Sequence, residues 1–154
     1  MNVEKRVKEL GLKLPLMPPP TANYIPVRKS GNWAYVSGHA PVNQEGKPCM
    51  SGQLGREYSI EEGYQAARLA ALGCLSSLRK ALGSLDKVRG VVKVLGFVNS
   101  AEGFTEQPKV VNGASDFFVE VFGEKGKHAR SAVGMAELPG NIPVEIELIV
   151  EVEE

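Results

Sequence analysis

The sequence is poor in the residues that would mark it for several common tasks. It has two cysteines, Cys49 and Cys74, in 154 residues. That is too few for a disulfide framework or a cysteine-based metal knuckle, and it fits a reduced, cytoplasmic location. It has two histidines, His39 and His128, without a cluster of carboxylates or cysteines to complete a ligand set, so no metal is expected. Neither sign of charge prevails: Lys plus Arg number 18, and so do Asp plus Glu. A neutral chain has no electrostatic bias toward nucleic acid or an anionic membrane. Aromatics make up 6%, and none interleave with a basic run. No apolar stretch is long enough to span a bilayer. Residues 1–10 mix charges with apolar side chains, unlike the uninterrupted core of a secretory signal. The 17 glycines are scattered without the spacing of a phosphate loop.

What is present is a clear alternation of helical and extended patterns. Val3, Val7 and Leu10 recur at helical spacing, with Gly11 as a stop. The proline-rich stretch 14–20 excludes regular helix. Tyr24-Ile-Pro-Val and Trp33-Ala-Tyr-Val-Ser flank the turn Lys29-Ser-Gly-Asn and predict a hairpin. Ser59 and Glu62 form a capping box. After it Ala67, Ala71, Leu75, Leu78 and Leu82 mark one face of a long helix that ends near Gly83. Residues 91–98 are apolar on both faces and read as a strand. Val110, Val111, Ala114, Phe117, Phe118 and Val121 give a second long helix over 107–122. Residues 131–136 read as a strand. Val144, Ile146, Leu148 and Val150 alternate with Glu145, Glu147 and Glu151, the clearest period-2 strand in the chain.

The order β-β-α-β-α-β-β suits an α+β sheet with both long helices on one face. Two helices cover only that face. The other carries Glu145, Glu147 and Lys93 among apolar residues and must meet water or another subunit. No repeat, low-complexity tract or boundary divides the chain, so 1–154 reads as one domain.

Arg130 enters a strand of small residues, Ser131-Ala-Val-Gly. A strand is a rigid mount, and an arginine fork suits a bidentate grip on a carboxylate. Taken alone, an exposed arginine is ordinary. Glu145, on the polar side of the last strand, is placed to orient water or shuttle a proton; a solvated charge is the plain alternative. Asn112 and Ser115 lie on the second long helix, where polar residues are common, although Asn offers both donor and acceptor to a ligand. Cys74 falls within the first long helix and reads as packing. Cys49 has no neighbouring histidine in sequence to activate it.

The run Gly126-Lys-His-Ala-Arg-Ser-Ala-Val-Gly-Met-Ala-Glu-Leu-Pro, followed by Pro143-Val-Glu-Ile-Glu, resembles the reactive-intermediate deaminase family, Rid, also called YjgF. Further matches are Asn23-Tyr24, Val36-Ser37-Gly38, and Asn112 ahead of Asp116-Phe-Phe. The likeness runs from about Asn23 to Val152. Residues 1–20 form an N-terminal extension. That extension, together with Gly113-Ala-Ser115 and Phe122-Gly-Glu-Lys-Gly, resembles the longer branch labelled endoribonuclease.

The resemblance implies a chorismate-mutase-like mixed sheet and a homotrimer with sites in the clefts between subunits. It also implies hydrolysis of 2-aminoacrylate-type enamines and imines to 2-keto acids and ammonia, without cofactor or metal. Arg130 matches the carboxylate-binding arginine, and Glu145 the glutamate that handles water. Tyr24, Ser37 and Asn112 match pocket-lining positions. One departure stands out. Many deaminating members carry Cys two places after the arginine, and here that residue is Ala132. Two rival readings remain: a non-catalytic metabolite-binding or regulatory trimer, and a ribonuclease, which the neutral charge disfavours. A chorismate mutase would share the fold, but fold does not fix function.

Overall fold

The computed structural model describes residues 2–154. Three helices, α1 (Val3–Glu9), α2 (Ile60–Leu82) and α3 (Gln107–Phe122), combine with five strands. The strands are β1 (Val27–Ser30), β2 (Trp33–His39), β3 (Val88–Asn99), β4 (Ala129–Met135) and β5 (Val144–Val152). They lie side by side in the order β1-β2-β5-β3-β4. Every neighbouring pair is antiparallel except β3 and β4, which run parallel. A parallel pair needs a crossover, and α3 provides it. The sheet is therefore mixed, as the family resemblance implies.

Local sequence sets the helix ends. Ser59 Oγ accepts the Glu62 N–H at 3.2 Å, and the Glu62 carboxylate accepts the Ser59 N–H at 3.2 Å, closing the capping box that starts α2. Gly83 ends α2 in the left-handed region, at φ 82°, which glycine adopts without steric cost. The buried face of α2 is rich in alanine, with Ala66, Ala67, Ala70 and Ala71 fully enclosed. Such a face lets neighbouring backbone come close. On α3, Gly113 does the same: a Cβ built there would stand 1.9 Å from the Tyr64 carbonyl oxygen of α2.

Both long helices pack on one face of the sheet. Phe117, Phe118 and Phe122 from α3 and Leu75 and Leu78 from α2 meet Val94, Ile146 and Leu148 of the strands in one core. The N-terminal segment joins it through Val3 and Val7. Its Glu4 carboxylate takes two hydrogen bonds from Arg79, at 3.2 and 2.6 Å, and one from the Leu85 N–H at 2.9 Å. These bonds, the Arg79 pair foremost, hold the Glu4 carboxyl below its ordinary range despite burial.

Three strand boundaries differ from the sequence reading. β1 begins at Val27, three residues later than the apolar run at Tyr24. Pro26 has no N–H to donate to a ladder, and Tyr24 and Ile25 stay exposed. β3 begins at Val88 and carries register shifts near Gly90 and Val91, so charged Arg89 is still within the strand. β4 begins at Ala129, not Ser131, so Arg130 lies inside the ladder, opposite Val94. The face away from the helices bears Trp33 and Tyr35, 42% and 47% exposed. Lys93, Leu95, Phe97, Glu145, Glu147 and Ile149 lie half-buried beside them. Among the described residues no helix is long and apolar enough to cross a membrane.

Candidate functional site

Arg130 projects from edge strand β4 toward α3. Its Nη1 donates to Asn112 Oδ1 at 2.8 Å and to Ser115 Oγ at 3.1 Å. Asn112 and Ser115 are three residues apart and so share a helix face. Among the described residues no carboxylate forms an ion pair with Arg130. The guanidinium is therefore anchored by neutral oxygens on one nitrogen, and its other donors remain available for an anion. His128 completes the group. Its Nε2 lies 2.9 Å from the same Ser115 Oγ and its Nδ1 2.6 Å from the Gly126 carbonyl. Burial, with the Arg130 charge adding to it, lowers the His128 pKa below the usual imidazole range; the Gly126 bond opposes this.

A second group gathers at the far end of β2. Ser37 Oγ donates to the Ile25 carbonyl at 2.8 Å, which ties the Tyr24 segment to the strand. Tyr24, Ser37 and Gly38 line a cavity of about 230 Å³ with the proline segment 17–20, His39 and Ser77. Glu145, from β5, lies over Gly38 so closely that a Cβ at position 38 would stand 2.6 Å from its Oε2. Glycine is therefore required there for the carboxylate to occupy this place. Burial, then the neighbouring Glu147 charge, raises the Glu145 pKa above the ordinary carboxylate range. A hollow of about 300 Å³ on the same sheet face is lined by Tyr35, Lys93, Leu95, Glu147 and Ile149.

The chain thus brings the five residues together as two sets, not one. Arg130 and Asn112 meet on the helix side of β4. Tyr24 and Ser37 line the cavity at the end of β2, and Glu145, on the open face, lies over the neighbouring Gly38. Glu145 lies on β5, two ladder steps from β4 or about 10 Å at the usual strand spacing, level with Val133, three residues along β4 from Arg130. It faces the open side of the sheet while Arg130 faces α3, so within one subunit the two do not act on the same small molecule.

Sequence reasoning weighed Ser115 and His128 separately and did not join them. The signal was there in spacing. His128 and Arg130, two apart, fall on one side of an extended segment, and Ser115 follows Asn112 by one helical turn. Cys74 is fully buried against β5 and its thiol pKa is pushed far up by burial, as packing requires. Cys49 is exposed. No cluster of three or more His, Cys, Asp or Glu that could hold a metal ion occurs among the described residues.

A mixed sheet backed by two long helices, with an arginine held by neutral oxygens on its edge strand, defines an α+β protein of the chorismate-mutase-like class. Residues 4–152 match the family model described as "YjgF/chorismate mutase-like, putative endoribonuclease", and the chain belongs to that family. It is 48% identical over 151 residues to Protein TCP17 of Trypanosoma cruzi, covering 97% of this chain and 94% of that one. It is 32% identical over 142 residues to a 2-iminobutanoate/2-iminopropanoate deaminase of Dermatophagoides farinae, covering 92% and 95%. A crystal structure of an Agrobacterium tumefaciens protein of unknown function superposes with a TM-score of 0.90 at 47% identity, over 98% of this chain and 92% of that one.

Proposed function

We propose that the protein hydrolyses 2-aminoacrylate-type enamines and their imines to 2-keto acids and ammonia, in sites formed between subunits of a homotrimer. The observation that carries this reading is Arg130, braced by Asn112 and Ser115 and, among the described residues, lacking a carboxylate of its own. A 2-imino acid supplies that carboxylate. An imine carbon is already electrophilic, so catalysis needs chiefly orientation of carboxylate, carbon and water. Neither metal nor organic cofactor is required for that. Arg130 and Asn112 of one subunit would hold the substrate. Tyr24 and Ser37 of a neighbour would line the other wall, and its Glu145 would orient the water. The separation of the two groups in one chain and the uncovered sheet face support such an assembly. The deaminase name of the 32% identical relative supports the chemistry.

Ala132 favours a second reading, a metabolite-binding trimer without turnover. It sits two places beyond Arg130, partly buried against the core, and offers no thiol to position water. A ribonuclease reading gains nothing from the balanced charge.

The decisive measurement is keto-acid release from imines generated from several amino acids, with pyruvate titration calorimetry on the same samples. Arg130→Ala should abolish turnover and weaken pyruvate binding by about 1.5–3 kcal/mol, the usual worth of a charged hydrogen bond. Arg130→Lys should fail to restore either, since lysine keeps the charge but loses the fork. Pyruvate binding by the wild type without turnover would favour the second reading. Wild-type turnover in Arg130→Ala would end the deaminase assignment.

A further inference from the structure

The two histidines are held in the same way and differ in what they face. His39 Nδ1 meets the Ser37 carbonyl, and its Nε2 meets Ser77 Oγ of α2 at 2.7 Å. His128 Nδ1 meets the Gly126 carbonyl, and its Nε2 meets Ser115 Oγ of α3. Each ring thus pairs with the carbonyl two residues earlier and with a serine from the helix beneath. A carbonyl only accepts, so Nδ1 carries the hydrogen. Nε2 of the neutral ring is left to accept the serine O–H. The first pair is sealed, with His39 5% and Ser77 4% exposed; it is a satisfied pair in the interior. The second is half-open, and its serine also accepts a hydrogen bond from Arg130.

We propose that Ser115 and His128 are the proton-carrying pair of the Arg130 half-site, with Ser115 as the catalytic hydroxyl and His128 as the positioning base behind it. The proposal rests on the deaminase reading above. A 2-imino acid gripped by Arg130 has its reactive carbon one bond beyond the carboxyl carbon. Ser115 Oγ lies 3.1 Å from the guanidinium, within reach, through a hydrogen-bonded relay, of a water that attacks that carbon.

The step balances as follows for a protonated imine. Water oxygen bonds to the imine carbon while the C=N π pair moves to nitrogen. The water's proton passes to Ser115 Oγ as the serine proton moves to His128 Nε2. The imidazolium returns its proton through Ser115 to the amine of the tetrahedral intermediate. The C–N bond then breaks with its electron pair on nitrogen, the hydroxyl O–H pair forms C=O, and the released proton goes back through Ser115 to His128 before leaving with ammonia. Glu145 of the neighbour orients the water and needs no part in this relay.

A base must be neutral to act. The charged group facing His128 is Arg130 on β4. α3 presents Ser115 and the edge of Phe118, and the turn before β4 presents the Gly126 carbonyl. Both the burial and the arginine favour the uncharged ring, so the base is ready at neutral pH. Turnover should fall as acidification protonates it.

The test is imine hydrolysis against pH in wild type, His128→Gln, Ser115→Ala and Ser115→Thr, with pyruvate calorimetry on each. The expected result is a kcat loss of about 100-fold or more in His128→Gln and Ser115→Ala, the usual scale of general base catalysis. Pyruvate affinity of His128→Gln should stay within about threefold, since that loss belongs to the transition state, whereas Ser115→Ala also removes a brace from Arg130 and should weaken pyruvate binding too. The acid limb due to His128 should vanish from the residual activity of His128→Gln, and Ser115→Thr, which keeps the hydroxyl, should recover part of the rate. Wild-type kcat with an unchanged acid limb in His128→Gln would overturn the relay and leave the deaminase reading standing. Equal loss of kcat and pyruvate binding in His128→Gln, again with an unchanged limb, would assign the pair a structural role and overturn it too. Absence of keto-acid release by wild type would end both proposals.

Discussion

Arg130 is braced from one side only, and that asymmetry distinguishes it from the other well-bonded arginines of the chain. Arg68 and Arg79 each meet a glutamate at 2.7 and 2.6 Å, and their charge is spent within the fold. Arg130 meets an amide and a hydroxyl, which fix its direction without neutralising it. Glu145 is its counterpart at the other group, a carboxylate raised in pKa by burial and by Glu147 and pressed against Gly38. Glu145→Gln should lower kcat by about 10- to 100-fold, the scale of a mispositioned reactant, and leave pyruvate affinity unchanged because the carboxylate is held by Arg130 of the neighbouring subunit. Equal kcat in the mutant would return Glu145 to a solvated charge. Small residues after Arg130 and the strict alternation around Glu145 place both on strands in the sequence, but their proposed roles come from the family resemblance, since residue chemistry alone favours exposed charges. The Ser115–His128 contact was not legible, because it depends on which turn of α3 lies over the start of β4, and no local pattern states that register.

At the scale of elements, the helices were legible nearly to the residue, and the strands less so. Ser59 with Glu62 and the terminal Gly83 write the ends of α2 in side-chain and backbone chemistry that acts locally. β1 and β4 instead begin where they come into register with the interior of a partner strand, at Val27 opposite Val36 and at Ala129 opposite Lys93. Apolar content alone does not reveal such a start. Close approach of α2 and α3 is another long-range property. It rests on Gly113, which has ordinary helical conformation but no space for a Cβ beside Tyr64. Alanine would raise helix propensity there by about 0.5–1 kcal/mol. The clash with backbone forces the helices apart and costs about 1–3 kcal/mol, the range for overpacking. Gly113→Ala should therefore lower the thermal midpoint despite its better propensity. Because Asn112 is the next residue, it should also weaken pyruvate binding. A midpoint equal to or above wild type would show that the helix pair yields without cost.

At the scale of the whole molecule, the chain separates the Arg130 group from the Tyr24–Glu145 group and has a sheet face that its own helices cannot cover. A closed ring joins unlike surfaces of identical copies and repeats the junction around its axis. In such a ring the Arg130 edge of each copy can meet the Tyr24–Glu145 end of the next. Light scattering should give three times the 16.6 kDa chain mass, and a stable monomer would remove the intersubunit site. Mass alone does not show that the site is shared, but mixing defective subunits does. Arg130→Ala keeps Glu145, and Glu145→Gln keeps Arg130. A trimer containing both kinds has one junction at which an intact Arg130 faces an intact Glu145, one at which both are lost, and one with a single defect. Random reassembly of equal amounts makes about three quarters of the trimers mixed, so activity should recover to about a quarter of wild type. Each variant reassembled alone should stay at its own low rate. If both residues served a site within one chain, mixing could restore nothing, and the mixture would show only the average of its two parents.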